Sequence, residues 1–155
     1  MSVVVVAHGS ADPRAAVATR ALARAVGAAP AYLDHAGPRP GEVLFSLAGA
    51  GHRTAVVVPL LFTAAYHGRV DLPAAIATAR SDGLELDVTV AGVLGPVDGV
   101  VPLELLDALG ARLSTVDFDG LVLAAAGTRD AAARETVSLV SAALGARFGV
   151  PSVAA

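Results

Sequence analysis

The chain contains no cysteine. Disulfides, thiolate catalysis, iron–sulfur clusters and cysteine-bound zinc are therefore excluded, and any transition-metal site must be built from His, Asp or Glu. Lysine, asparagine, glutamine and tryptophan are missing too, so every basic residue is Arg. This pattern points to a GC-rich coding bias, not to a functional adaptation. Charge is sparse, at 16% of residues against 55% hydrophobic, with a net charge of −3 and no basic run. Such a composition is far from a disordered profile and argues against nucleic acid or an anionic membrane as partner. Pro and Gly interrupt every apolar stretch before it is long enough to span a bilayer. The short run Val3 to Ala7 lacks the basic flank of a targeting segment. A soluble cytoplasmic protein is expected, with one packed domain or one domain plus a fragment.

What is present is an alternation. Val3-Val4-Val5-Val6-Ala7 is a continuous β-branched run of the kind buried on both faces of a parallel sheet. Asp12-Pro13 supplies a helix cap followed by Pro at the first helical position, and Gly27 ends that helix. A strand around Ala31 to Leu33, a helix over Gly41 to Ala50, and a strand over Thr54 to Leu60 follow. A helix opened by Asp71-Leu72-Pro73, a strand over Leu86 to Val93, and a helix over Pro102 to Leu113 complete the unit. The expected fold is α/β, a four-stranded parallel sheet in order 2-1-3-4 with flanking helices. The pattern then restarts. Gly127-Thr128 and Asp130 fall on Gly9-Ser10 and Asp12, and Pro151 to Ala155 matches Pro30 to Asp34. Residues 1–116 thus read as one complete unit and 117–155 as a degenerate partial repeat, strand–helix–strand. Ala126 stands where His8 stood and Ala155 where Asp34 stood. The chain stops in mid-repeat, as expected for a piece of a longer two-domain protein.

Ligands of open parallel sheets bind beyond the carboxyl ends of the strands, often where strand order reverses. His8 follows the first strand, Asp34 and His35 the second, and His67 the third. All are expected on one edge of the sheet, with His8 and His67 flanking the switch point. Each of these two histidines precedes a Gly, and lies four residues before an Asp-initiated helix start. The positive end of a helix disfavours imidazolium, and a neutral imidazole can bind a metal or accept a proton. Convergent polar groups at a strand edge make function the preferred reading for the pair over two hydrogen-bonded surface residues. Asp34 reads equally as a ligand or as a turn former before Gly37-Pro38. His35 is expected to alternate away from Asp34. His52 reads as a solvated cation near a helix end. Ser10 reads as a loop hydrogen-bonder or substrate contact, since no Gly-x-Ser-x-Gly elbow surrounds it.

Two segments carry a family resemblance. Ala7-His8-Gly9-Ser10-Ala11-Asp12-Pro13-Arg14 and Val58-Pro59-Leu60-Leu61-Phe62, leading to His67-Gly68-Arg69-Val70-Asp71-Leu72-Pro73, resemble the class II chelatases, specifically the sirohydrochlorin cobalt/iron chelatases. Tyr32-Leu33-Asp34-His35-Ala36-Gly37-Pro38 resembles the segment where that family usually carries Leu-Glu and then Pro, so Asp34 is one methylene shorter than the usual residue. The resemblance covers about residues 1 to 115, the N-terminal unit of the two-domain members. It implies a lyase of siroheme or cobalamin biosynthesis, a cobaltochelatase or ferrochelatase that inserts a divalent metal into sirohydrochlorin or a related tetrapyrrole. His8 and His67 would be catalytic, and His8, His67 and Asp34 would hold the metal. Ser10, Arg14, Tyr66 and Arg69 would contact the substrate. Co²⁺, Fe²⁺ and Ni²⁺ all suit such ligands, and no organic cofactor is implied.

Two rival readings stand beside this one. A metal- or tetrapyrrole-binding module without turnover is compatible with an incomplete second unit. A histidine-based phosphoryl-transfer enzyme also places His-Gly after a first strand, but it needs an adjacent arginine for the phosphate, and Ala7 precedes His8. Exposed strand edges make homodimerisation an expectation.

Overall fold

The computed structural model describes residues 1–63, 70–114 and 117–155. It divides into two units, Met1–Val93 and Leu94–Ala155. The first is built on β1 (Ser2–Ala7), β2 (Ala29–Tyr32), β3 (Thr54–Pro59) and β4 (Asp87–Val90). All pairings are parallel and the order is β2-β1-β3-β4, as the alternation predicts. The valine run explains why β1 is central. Val4 and Val6 are fully buried on one face, and Val5 is nearly so on the other.

Three helices cover these faces: α1 (Pro13–Ala25), α2 (Pro40–Gly49) and α3 (Leu72–Ser81). Each has Pro in its first two positions, where the missing N–H costs nothing and the fixed φ suits the helix. Val43 and Leu44 of α2 and Leu72 and Ile76 of α3 form one core with Val4, Val6, Ala55 and Val57. Each large aliphatic side chain buried there contributes roughly 1.5–3 kcal/mol. On the opposite face, α1 packs against β1 and β2, and the Tyr32 hydroxyl donates to the Ala16 carbonyl at 3.2 Å. β4 is shorter than its apolar run predicts. Leu84 and Leu86 are buried before the strand begins, and after Val90 only Ala91 continues the ladder, donating to Val57.

The second unit contains α4 (Leu103–Gly110), β5 (Leu121–Leu123), α5 (Ala131–Phe148) and β6 (Ser152–Ala154). Leu106, Val140 and Leu144 form its core, flanked by Leu105, Leu109, Leu121, Leu123 and Phe148. Arg147 of α5 pairs with Asp107 of α4. Thus α4, which the sequence pattern attaches to the first repeat, packs against α5. β5 and β6 form a separate parallel pair. Among the described residues no helix is long and apolar enough to cross a membrane.

The repeat is visible in hydrogen bonds. Ser10 Oγ accepts from the Asp12 N–H at 3.1 Å, and Thr128 Oγ1 accepts from the Asp130 N–H at 3.2 Å. Asp12 then caps α1 by accepting from the Arg14 N–H, as Asp130 caps α5 by accepting from the Ala132 N–H, both at 2.9 Å. The second strands differ in register. Ala154 pairs with Leu123, whereas Pro30 pairs with Val5 at the equivalent height. With Gly127 matched to Gly9, Ala155 stands level with Ala31, three positions short of the Asp34 level. The proline-based alignment of Ala155 with Asp34 is corrected by this register.

Candidate metal-binding site

The β1–β2 ladder does not stop where the strands do. The Leu33 N–H donates to the Ala7 carbonyl at 3.0 Å, and the Asp34 N–H donates to the His8 carbonyl at 2.7 Å. The first bond carries the register one step past each strand, and the second, a turn bond just beyond it, holds His8 beside Asp34 at the carboxyl edge of the sheet. Gly9 sits at φ +98°, and a Cβ built on it would lie 1.8 Å from the Asp34 carbonyl oxygen. Only glycine tolerates both that backbone conformation and that approach.

His8 is half-buried, and its Nδ1–H donates to the Gly9 carbonyl at 3.1 Å. A ring proton held on Nδ1 by a backbone carbonyl puts the lone pair on Nε2, the arrangement that orients metal-binding imidazoles. A cleft of about 380 Å³ opens at this edge, lined by His8, Leu33, Asp34, Arg39 and Asp71 among others. That volume lies at the lower end of small-molecule sites, roughly 300–1,000 Å³.

Asp34 is exposed and its two oxygens face different partners. Oδ1 accepts from the His35 N–H at 2.8 Å and lies 3.7 Å from an Arg39 guanidinium nitrogen. Oδ2 lies 3.6 Å from His35 Nε2. The His35 N–H holds the Asp34 carboxyl below the usual carboxylate range, with smaller contributions from the His35, Arg39 and His8 charges. The expectation that His35 turns away from Asp34 is corrected. His35 has φ +58°, so strand alternation has ended and its ring folds back over the carboxylate. Its centroid lies 6.1 Å from that of His8.

The other sequence candidates fall as follows. Ser10 and Arg14 are not among the residues lining the cleft. Arg14 grips both oxygens of Asp12, the closest contact being 2.6 Å, and this pair lowers the Asp12 carboxyl and raises the Arg14 guanidinium. Tyr66, His67 and Arg69 lie outside the described residues. The chain that leads to them leaves β3 beside β1, where the Leu60 N–H donates to the Val6 carbonyl at 2.7 Å. His52 is exposed just ahead of β3, at the amino edge of the sheet. Among the described residues no group of three or more His, Asp and Glu is arranged to hold a metal ion.

Two cleft residues were not anticipated. Arg39 donates from its side chain to the Leu33 carbonyl, and its own N–H donates to Glu42 Oε2 at 2.7 Å. In sequence, Arg39-Pro40-Gly41-Glu42 reads only as a helix start. Asp71 reads as a helix cap, but its side chain makes no cap hydrogen bond to α3 and lines the cleft instead. At the matching edge of the second unit, a cleft of about 260 Å³ is lined by Ala126, Thr128, Arg134, Ser138 and Ala155 among others, with no His, Asp or Glu.

A parallel α/β unit with imidazole and carboxylate side by side at its carboxyl edge carries polar groups where open parallel sheets bind their ligands. The chain itself belongs to the CbiX family, whose model matches residues 2–111. This agrees with the resemblance carried by its two motifs. No curated protein matches it. The crystal structure of the sirohydrochlorin chelatase SirB from Bacillus subtilis subspecies spizizenii in complex with cobalt is similar, with TM-score 0.82 and 22% identity over 99% of this chain and 66% of that one. SirB from Bacillus subtilis with Fe³⁺ gives TM-score 0.79 at 20% identity, over 97% and 64%. The putative cobalamin (vitamin B12) biosynthesis CbiX protein from Marinobacter aquaeolei VT8 gives TM-score 0.60 at 27% identity, over 72% of this chain and 95% of that one. At these identities the SirB likenesses establish the fold. The chain spans about two-thirds of the length of the SirB chains.

The Gly9 contact predicts unequal costs for two glycines. Gly27 also has a positive φ, +65°, but nothing lies within 4 Å of a Cβ there. Gly27→Ala is expected to cost only the left-handed penalty of about 1–2 kcal/mol, and Gly9→Ala distinctly more, in urea unfolding. Equal costs would remove the Gly9–Asp34 contact from the account.

The lowered Asp34 carboxyl has a signed consequence. Because the folded value lies below the unfolded one, its stabilising contribution is present above the ordinary aspartate range, near 3.9, and is lost as pH falls through the folded value. A ¹³C NMR titration should find the Asp34 carboxyl ionised throughout pH 5–8. Arg39→Ala should leave most of the lowering in place, since the His35 N–H is its largest cause.

Proposed function

We propose that this chain inserts a divalent metal, Co²⁺ or Fe²⁺, into sirohydrochlorin or a related tetrapyrrole, as a lyase of siroheme or cobalamin biosynthesis. The observation that carries the reading is the extended β1–β2 ladder, which sets His8 beside Asp34 at the edge of a cleft in a CbiX-family fold. Membership of that family supports it, as do the likenesses to SirB structures with cobalt and iron. The chemistry is assigned to the complete repeat read from the sequence, residues 1–116, and residues 117–155 are assigned as the degenerate repeat.

The metal is a substrate. For each dication that enters the macrocycle, two pyrrole protons leave, so charge balances. A neutral imidazole is suited to both halves of this exchange, first as a ligand and then as a proton acceptor. His8, with its proton on Nδ1, presents Nε2 for that role. His67 is assigned as its partner from the third strand's loop. Asp34 supplies the negative charge that attracts the cation. The substrate's carboxylates need donors, and Arg39 at the cleft joins Ser10, Arg14, Tyr66 and Arg69 as candidates. No organic cofactor takes part. Cytoplasmic location and homodimerisation complete the reading.

A module that binds without turnover is the alternative reading. Anaerobic incubation of sirohydrochlorin with Co²⁺ and substoichiometric protein separates the two. Turnover should move the Soret and Q bands to completion, whereas binding alone saturates at protein stoichiometry. His8→Ala and His67→Ala should each lower the rate by about 10²–10⁴-fold with the circular dichroism unchanged. Undiminished activity in either variant would overturn the assignment of that residue.

A further inference from the structure

His35 is the one imidazole near the cleft that the proposed chemistry does not use. Its position is specific. A non-glycine residue with positive φ is uncommon, and here φ is +58°. The consequence of that backbone turn is that the ring, instead of pointing along the strand direction, folds over Asp34 with Nε2 3.6 Å from Oδ2. The other carboxylate oxygen is already occupied, receiving the His35 N–H at 2.8 Å and facing Arg39 at 3.7 Å. Arg39 is held in place by donating to the Leu33 carbonyl. The carboxylate is therefore fixed in rotation with Oδ2 toward the imidazole.

The separation of these two atoms is that of donors sharing a metal. With bonds of about 2.1 Å, two ligands on a tetrahedral ion lie about 3.4 Å apart, close to the 3.6 Å between His35 Nε2 and Asp34 Oδ2. Both side chains are about half exposed, at 46% and 57%, so an incoming hydrated cation reaches them directly. The His8 ring lies further in, half-buried, with its centroid 6.1 Å from that of His35.

We propose that His35 and Asp34 form a two-donor loading site for the divalent metal, from which the ion passes to His8. A pair of protein ligands leaves half of a tetrahedral coordination sphere to water, so the ion is held weakly and exchanges readily. That suits a cargo to be handed on, whereas a resident ion is enclosed by three or four side chains. The shift of the metal to His8 is a ligand exchange: one bond to His35 breaks as one to His8 Nε2 forms, and Asp34 bridges the two positions. This inference rests on the proposed chelatase reading for its purpose, but its test does not depend on turnover.

The test is a Co²⁺ titration of the full chain without tetrapyrrole, read by paramagnetic shifts of the histidine ring resonances and by calorimetry. His35→Gly removes the imidazole while accepting the positive φ, and His35→Asn repeats the test with a second residue that tolerates it. Both should weaken Co²⁺ binding roughly tenfold or more, and in the unsubstituted chain the His35 ring should shift as Co²⁺ is added. In His8→Ala the His35 shift should persist. Unaltered affinity in both His35 variants, or a His35 ring that does not respond to Co²⁺, overturns the proposal even if metal insertion proceeds normally. Conversely, His35-dependent Co²⁺ binding in a chain that never turns over sirohydrochlorin sustains the loading site and refutes the chelatase reading alone.

Discussion

Two backbone hydrogen bonds beyond the end of β2, from Leu33 to Ala7 and from Asp34 to His8, organise the polar edge of this domain. The first continues the parallel ladder, whose register the buried valines of β1 set, and the second is a turn bond just beyond it. Gly9 closes the contact by letting the chain pass against the Asp34 carbonyl without a side chain between them. The imidazole of His8 and the carboxylate of Asp34 come from separate segments that each follow closely on a strand of the sheet. Two backbone hydrogen bonds set where the groups start.

The division of labour at Asp34 follows from that anchoring. One oxygen is engaged by the His35 N–H and Arg39, and the other faces the His35 ring. The same N–H that orients the carboxylate also keeps it ionised, so orientation and charge have a common cause. The second unit shows what the framework is without the chemistry. It repeats the Ser/Thr–Asp cap at the head of its helix, but places Ala126 where His8 stands and has no His, Asp or Glu lining its cleft. The cap is common to both units, and the histidine is confined to the first.

The strand order and helix starts were legible because they rest on local physics. A run of β-branched valines favours a buried strand, and Asp-Pro before an apolar pattern favours a helix start. His8 and Asp34 were found by the rule that parallel sheets bind ligands at their carboxyl edge. What escaped depends on tertiary geometry. His35 was expected to point away because alternation was assumed to continue, but the chain enters a positive φ at that residue. Arg39 looked like part of a helix start, and nothing in its sequence context shows that its guanidinium returns to Leu33 and Asp34. Asp71 looked like a cap and instead faces the cleft. The register of β6 escaped as well, since matching prolines do not fix which residues pair across a ladder.

The extended ladder is tested most directly by amide hydrogen exchange resolved by NMR. Asp34 lies on an exposed loop, where an unbonded amide exchanges at close to the rate of a disordered chain. A 2.7 Å bond to the His8 carbonyl predicts instead that the Asp34 N–H is protected to a degree comparable with the amides of β2. Exchange of Asp34 at loop rates, beside protected amides in β2, would show that the ladder ends with the strand and that His8 and Asp34 are not held together.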